Sequence, residues 1–268
     1  MLRSLKDLER YTVSATDGDV GNVVNFLLDD ASWSVRYLVV ETGSFFNERR
    51  VLISPISFRQ IDWATRRFHL ALTIDKIKKS PSVDVDKPVS RQHERDYYSY
   101  YGYPLYWNYS EPAGTGTYQD MLGSGTWNKT NNNPSEYSGD SHLRSAEELR
   151  GYHLQGSDES IGHVADFIVD DETWAIRYLV IDTSNWWLGK EVLVSPHWTN
   201  RISWAERNVY VDMSRQAVKA SPEWNAVAGI NRKYETVLYD YYGRPAYWDS
   251  NGRPLLSPEV QHSADHTG

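Results

Sequence analysis

Residues 35–40 read VRYLVV, a run in which apolar side chains occupy both alternating sets of positions. One set contains Val35, Tyr37 and Val39, and the other contains Leu38 and Val40. A strand with apolar residues on both faces is covered on both sides in the folded protein. The same pattern returns as IRYLVI at residues 176–181, which predicts two such buried strands in the chain.

Shorter strand-like segments surround this run. Residues 11–28 predict two strands, residues 51–54 and 61–63 are shorter apolar pieces, and residues 67–72 alternate between apolar and polar positions. Short strands spaced by roughly 10 residues are typical of a small antiparallel barrel or sandwich. We therefore expect a mainly β protein made of two small antiparallel β-barrels.

The repetition extends along most of the chain at one constant spacing, 174 − 33 = 141 positions, without a gap. It relates Gly21 to Gly162, Trp33 to Trp174, Pro55 to Pro196, Trp63 to Trp204 and Trp107 to Trp248. A period of this length is that of a whole domain, because solenoid repeats recur every 20 to about 50 residues. We expect one domain at 1–107 and another at 143–248, with a flexible linker at 108–142 and a disordered tail at 249–268.

Two helix patterns follow each barrel pattern. Thr73 is a suitable N-cap for a short helix, and Ser90 is a suitable N-cap for a second helix that ends at Gly102. Ser214, Asn231 and Gly243 occupy the corresponding places in the second domain. Each second helix runs into an aromatic extension, YYGYPLYW at residues 100–107 and YYGRPAYW at residues 241–248.

Composition narrows the classes of function. The chain has no cysteine, which excludes disulfides, thiolate metal sites and thiol nucleophiles within it. Its net charge of −8 does not favour binding to duplex nucleic acid, which requires a basic face. The first residues do not resemble a signal peptide, and no apolar run approaches the roughly 18 residues of a membrane span. We expect a cytoplasmic protein without a transmembrane segment.

Catalytic and metal-binding patterns are weak. The pairs Asp29-Asp30 and Asp170-Asp171 favour structural turns over a calcium site, because no further oxygen ligands follow at loop spacing. The eight histidines show no metal-ligand spacing within either predicted barrel, and none is repeated at the spacing of 141. We expect no catalytic residues, no metal and no cofactor, and hence a protein that is not an enzyme.

Aromatic residues are the strongest candidates for a functional surface. We predict that the aromatic extensions form an interface, and the residues assigned to it are Tyr101, Tyr103, Tyr106, Trp107, Tyr242, Tyr247 and Trp248. Aromatic side chains anchor interfaces because they combine a large apolar body with a polar tip. The alternative is a ligand site at which exposed rings stack on a glycan or on single-stranded nucleic acid.

The arrangement of Gly21, Asp29-Asp30, Trp33, the segment RYLV at 36–39 and the segment VLISP at 51–55 resembles the PRC-barrel family. The resemblance covers about residues 2–80 and 143–221, and the aromatic extensions are similar to those of stand-alone bacterial members. The family's barrel occurs in the cytoplasmic domain of the photosynthetic reaction-centre H subunit and in the C-terminal domain of a ribosome maturation factor.

The resemblance implies a non-enzymatic module for protein interaction, scaffolding or regulation. The settings it suggests are a peripheral membrane complex of the reaction-centre kind, which supports electron transfer, and a stress-related complex. We further expect the two barrels to form a pseudo-two-fold pair within one chain, with the aromatic extensions at their contact, and to bind one or more protein partners.

Overall fold

The computed structural model describes residues 1–42, 49–81, 89–105, 143–183, 190–226 and 229–249. The first unit contains β1 (Leu2–Ser4), α1 (Leu5–Leu8), β2 (Thr12–Ala15), β3 (Gly18–Asp29), β4 (Ser34–Thr42), β5 (Arg50–Ile53), β6 (Phe58–Asp62), β7 (Arg67–Leu70), α2 (Ile74–Lys78) and α3 (Arg91–Tyr101). A short 3-10 turn at Pro55–Ser57 connects β5 to β6. The predicted linker and tail fall almost entirely outside the described residues.

The second unit repeats this order of elements at the spacing of 141. It contains β8 (Leu143–Ser145), α4 (Ala146–Leu149), β9 (His153–Gln155), β10 (Ser160–Asp170), β11 (Ile176–Asp182), β12 (Glu191–Val194), β13 (Thr199–Ser203), β14 (Asn208–Val211), α5 (Arg215–Ala220) and α6 (Arg232–Tyr242). Pro196–Trp198 forms the corresponding 3-10 turn. No helix among the elements of either unit is long and apolar enough to cross a membrane.

The strands form two seven-stranded sheets. The first sheet has the order β5-β4-β3-β2-β7-β6, and the second has the order β12-β11-β10-β9-β14-β13. The seventh strand of each sheet comes from the other unit, because β8 pairs with β3 and β1 pairs with β10. The two units therefore exchange their first strands.

The expectation of antiparallel barrels is wrong in one respect, since both sheets are mixed. Strand β2 pairs with β7 in parallel, and β9 pairs with β14 in parallel. Hairpins make consecutive strands antiparallel, whereas β2 and β7 meet only after a long connection, and this connection permits the parallel direction. The pairing order is also open at both ends of each sheet rather than closed into a barrel.

The predicted central strand is buried as its pattern requires. Val35, Tyr37, Leu38 and Val40 in β4 have no solvent exposure. Gly21 lies where β3 passes close to β4, and a Cβ atom at this position would lie 2.0 Å from the carbonyl oxygen of Glu41. Only glycine permits this approach of the two backbones, which is the physical reason for a glycine inside the strand.

The predicted helix boundaries are confirmed. The side chain of Thr73 accepts a hydrogen bond from the backbone N–H of Lys76, and the side chain of Ser90 accepts one from His93. Helix α3 ends at Gly102 in the left-handed conformation, with φ of 74°. Asn231 and Gly243 cap helix α6 in the same way.

The units also meet at the turns that precede β4 and β11. The backbone N–H of Val35 donates to the carbonyl of Trp174, and the N–H of Ile176 donates to the carbonyl of Trp33. Both tryptophans are buried, and both have a left-handed backbone, with φ of 51° at Trp33 and 60° at Trp174. The indole of Trp174 packs at 5.3 Å from the ring of Phe58 in the first unit. The turn of one unit thus contributes to the core of the other.

Candidate functional site

Helix α3 attaches to the first sheet through tyrosine rings. Tyr97 and Tyr98 pack edge-on against Tyr37 of strand β4, at centroid distances of 5.2 and 6.3 Å. The hydroxyl of Tyr97 accepts a hydrogen bond from the backbone N–H of Ser54. Complete burial raises the pKa of Tyr97 well above its ordinary value. These contacts hold one face of the helix on the sheet.

A buried carboxylate joins helix to strand in each unit. Glu94 accepts a hydrogen bond of 3.1 Å from the hydroxyl of Tyr37 and forms an ion pair of 3.0 Å with Arg91. The side chain of Glu94 is almost fully buried. A buried charge requires such partners, because its desolvation is costly. This pair therefore fixes the position of the helix on the strand.

The second unit elaborates the same arrangement. Glu235 accepts hydrogen bonds from the hydroxyls of Tyr178 and Tyr247, at 2.7 and 2.6 Å, and pairs with Arg232 at 3.2 Å. Burial raises the pKa of Tyr178 well above its ordinary value, and neighbouring Tyr239 and Glu235 raise it further. Tyr247 thus ties the aromatic extension to the carboxylate that holds the helix.

Sequence reasoning did not identify Glu94 and Glu235. A signal was present, because Arg91 and Glu94 stand three residues apart at the start of helix α3, and Arg232 and Glu235 repeat this spacing 141 positions later. Acidic residues in the first helical turn are common for electrostatic reasons alone, and the sequence gives no reason to expect their burial.

Tyr101 and Tyr103 lie against their own unit. Their rings stack at 5.4 Å with an angle of 10° between the planes, and Tyr101 also contacts Tyr97 at 4.7 Å. Burial raises the pKa of Tyr101 to about 12. Tyr106 and Trp107, which belong to the same predicted interface, lie outside the described residues.

Tyr242, Tyr247 and Trp248 form a second aromatic cluster around Trp198 and Tyr239. The ring of Trp248 contacts Tyr239 at 4.9 Å and Tyr247 at 4.7 Å. All three predicted interface residues are half-buried. The ring contacts of these three residues are within one unit, and a role in binding a partner stays a prediction.

Guanidinium groups cover part of the second cluster. Arg232 lies 4.1 Å from the ring centre of Trp248, and Arg177 lies 4.4 Å from that of Tyr247. A cation over an aromatic face is attracted by the negative charge density of the ring. The first cluster differs because Lys76 lies farther from its ring, at 5.7 Å from the centre of Tyr101. Arg177 is itself buried and pairs with Asp170, whereas the side chain of Arg232 is about half exposed and pairs with Glu235.

The aspartate pairs bind arginines and turn backbone. Asp29 accepts hydrogen bonds from the backbone N–H groups of Ala31 and Ser32 and pairs with Arg36 at 3.2 Å. Asp171 pairs with Arg3 at 2.7 Å and with the amino terminus. These contacts agree with the predicted structural turns. No group of three or more histidine or acidic side chains in the described parts of the chain is arranged to hold a metal ion.

A polar cleft of about 270 Å³ lies beside helix α1, near the contact between the units. Its walls are formed by Lys6, Asp7, Glu9, Arg10 and Arg66. Glu9 is engaged in an ion pair of 2.6 Å with Arg150 of the second unit. The cleft mixes both signs of charge and is open to solvent, so it does not resemble an apolar ligand pocket.

Comparison with known proteins identifies one family. Residues 142–218 match the PRC-barrel domain, and the match covers the second unit from β8 into α5. It does not extend to the first unit, although the first unit has the same order of strands. No curated protein matches the chain. The second unit is therefore similar to a PRC-barrel domain, a family of interaction modules.

Proposed function

We propose that the chain is a non-enzymatic tandem PRC-barrel module that binds a protein partner in the cytoplasm. The family match at residues 142–218 supports the second barrel, and the equivalent strand order of residues 2–70 supports a first barrel of the same kind. On this proposal each mixed sheet curls toward a barrel, and the two units arose by internal duplication. The domain boundaries at 107 and 143 belong to the same proposal.

The observation that carries the binding role is the half-buried cluster of the second unit. Trp248 and Tyr247 are half-buried, and Arg232 lies over the indole. Tryptophan, tyrosine and arginine are the residue types that contribute most energy to protein interfaces. A partner with an acidic and apolar surface fits this combination.

The alternative of ring stacking on a glycan or on single-stranded nucleic acid has less support. Stacking needs a free ring face, and Arg232 lies over a face of Trp248. A peripheral complex of the reaction-centre kind and a stress-related complex are the settings that the resemblance suggested. No contact among the described residues favours one over the other.

The test compares Trp248→Ala with the unmodified chain in affinity purification from the native cell. Tyr210→Ala is the matched control, because Tyr210 is another half-buried ring beneath a guanidinium, that of Arg201 at 4.1 Å. We expect a protein that is retained by the unmodified chain and by the control and is lost with Trp248→Ala. Equal retention by all three, or recovery of glycan or nucleic acid alone, would contradict the proposal.

A further inference from the structure

The contact between the two units is organised about a pseudo-two-fold axis. Ser34 and Ala175 occupy equivalent positions in the two units, and they face each other as an antiparallel bridge. The hydrogen bonds on either side, from Val35 to Trp174 and from Ile176 to Trp33, exchange under the same operation. A residue at this position therefore faces its own equivalent.

The exchanged strands repeat the symmetry on both sides of the axis. Arg3 pairs with Asp171, and the equivalent Arg144 pairs with Asp30 at 3.0 Å. Each arginine also lies over a tryptophan, Arg3 at 3.5 Å from the ring centre of Trp63 and Arg144 at 4.2 Å from that of Trp204. The two halves of the contact use the same chemistry here. These residues hold the units together without distinguishing one unit from the other.

Position 9 and its equivalent, position 150, break the symmetry in charge. Glu9 of the first unit forms an ion pair with Arg150 of the second, and the atoms Oε1 and Nη1 are 2.6 Å apart. Both side chains are largely buried in the contact. Because equivalent positions meet there, a pair of two first units would bring glutamate against glutamate. A pair of two second units would bring arginine against arginine.

The flanks of the contact break the symmetry in the same sense. The backbone N–H of Lys6 donates to Asp166 at 3.2 Å. The residue equivalent to Lys6 is Glu147, and its backbone N–H donates to Asn25 rather than to an aspartate.

Pairing two units of the same kind would replace these attractions by repulsions. In a pair of two second units, Glu147 would take the place of Lys6 beside Asp166. Juxtaposed like charges are the usual means by which an interface rejects a wrong partner.

We propose that this contact is selective for unlike units. The surface through which the first unit exchanges its first strand binds the corresponding surface of a second unit and rejects that of another first unit. Glu9 with Arg150 is its specificity-determining pair. The chain carries one surface of each kind, so it satisfies both within itself. A second chain can then join only if its first unit pairs with the second unit of this chain and its second unit pairs with the first. This inference is independent of the external partner proposed above.

Cysteine cross-linking tests which units pair in the full chain, which has no cysteine of its own. A cysteine at position 34 or 175 faces another cysteine only if like units pair, because the position lies on the axis. Ser34→Cys and Ala175→Cys are made separately and together, and Thr65→Cys on an exposed turn gives the rate of collisional cross-linking. Each variant is refolded from urea at increasing protein concentration and then oxidised.

We expect the double variant to form a disulfide between positions 34 and 175, because such directly opposed positions have the closest Cβ atoms. Each single variant should form covalent dimers no faster than Thr65→Cys. Covalent dimers above that level in either single variant, or no 34–175 disulfide in the double variant, would overturn the proposal.

A charge-reversal cycle tests the residues held responsible. Glu9→Arg and Arg150→Glu should each lower the melting temperature by about 2–4 °C. The double reversal should recover part of the loss, because the carboxylate introduced at position 150 still lies near Asp166. Glu9→Gln and Arg150→Gln serve if a reversal does not fold, and each should then show a smaller decrease. Single changes without effect, or a double reversal without recovery, would show that position 9 does not determine which units pair.

Discussion

The hydroxyl of Tyr178 donates a hydrogen bond of 2.7 Å to Oε1 of Glu235, and Tyr37 and Glu94 repeat the pair at 3.1 Å in the other unit. Both carboxylates are buried, and both lie on the helix that carries the aromatic extension. The bond therefore couples the central strand of each sheet to its helix, and in the second unit it also couples the strand to the surface that we propose for partner binding.

Removing the tyrosine hydroxyl should weaken this coupling. Tyr37→Phe and Tyr178→Phe are each expected to lower the free energy of unfolding by about 1.5–3 kcal/mol, because a hydrogen bond to a charged group is lost in a buried site. Urea unfolding followed by tryptophan fluorescence measures the effect. Tyr210→Phe is the control, since its hydroxyl bonds Glu206 at 2.6 Å on the surface and its loss should cost less. Equal losses in all three variants would contradict the role of burial.

Trp174 belongs to the second unit by sequence, but it should stabilise the first unit. Its indole packs against Phe58 and Phe68 of the first unit, at 5.3 and 6.1 Å. Trp174→Ala is expected to cost about 3–5 kcal/mol, the range for truncating a buried large aromatic. Alanine keeps the left-handed backbone cost unchanged, so the loss reports packing. Hydrogen exchange should then accelerate in β6 and β7. Acceleration confined to residues 143–249 would show that the units do not share a core.

The buried central strand and the helix ends could be predicted from the sequence because their causes are local. Apolar residues on both faces of residues 35–40 require cover on both sides, and Ser90 and Gly102 satisfy the ends of helix α3 with their own atoms. The exchange of β1 could not be predicted, because the three residues LRS occur at the start of both units and contain no information about which sheet they join.

The candidate site was only partly predictable for the same reason. The aromatic extensions are evident in the sequence, and most described rings prove to be packed on their own unit. Whether a ring faces solvent, a partner or its own sheet depends on tertiary contacts, such as the bond from Tyr247 to Glu235. The ion pair between Glu9 and Arg150 becomes meaningful only when the axis between the units is known.

Calcium and chelators should not change the melting temperature. The carboxylates of Asp29 and Asp171 are engaged by Arg36 and Arg3, so their oxygens already have cationic partners. A ligand that binds only the folded state raises stability with its concentration, and the melting temperature should therefore be the same in EDTA and in millimolar Ca²⁺. A calcium-dependent rise that is lost in the variant with Asp29→Asn and Asp30→Asn would show that the interpretation is wrong.

Gly21 should tolerate no side chain. A Cβ atom there would meet the carbonyl oxygen of Glu41 at 2.0 Å, so Gly21→Ala must push β3 away from β4. Gly102→Ala is the comparison, since its Cβ would meet no heavy atom within 4 Å and only the left-handed backbone opposes it. The latter should cost about 1–2 kcal/mol, and Gly21→Ala should cost distinctly more. Equal costs in chemical unfolding would exclude the close strand approach as the reason for glycine.

Asp166 should make stability depend on pH with a sign opposite to that of most carboxylates. Burial in the contact between units raises the pKa of this carboxyl above its ordinary value, although Ser4 and Arg150 oppose the rise. The folded chain then binds the proton more tightly than the unfolded chain, so ionisation of Asp166 costs stability as the pH increases beyond about 4. Asp166→Asn, which introduces the residue found at the equivalent position 25, should raise the melting temperature at pH 7 and lose this advantage toward pH 4.

Asp62→Asn is the control of opposite sign, because hydrogen bonds from Thr65 lower the pKa of Asp62, and this variant should lower the melting temperature at pH 7. A decrease at pH 7 with Asp166→Asn would show that the attraction of Arg150 outweighs the cost of burial.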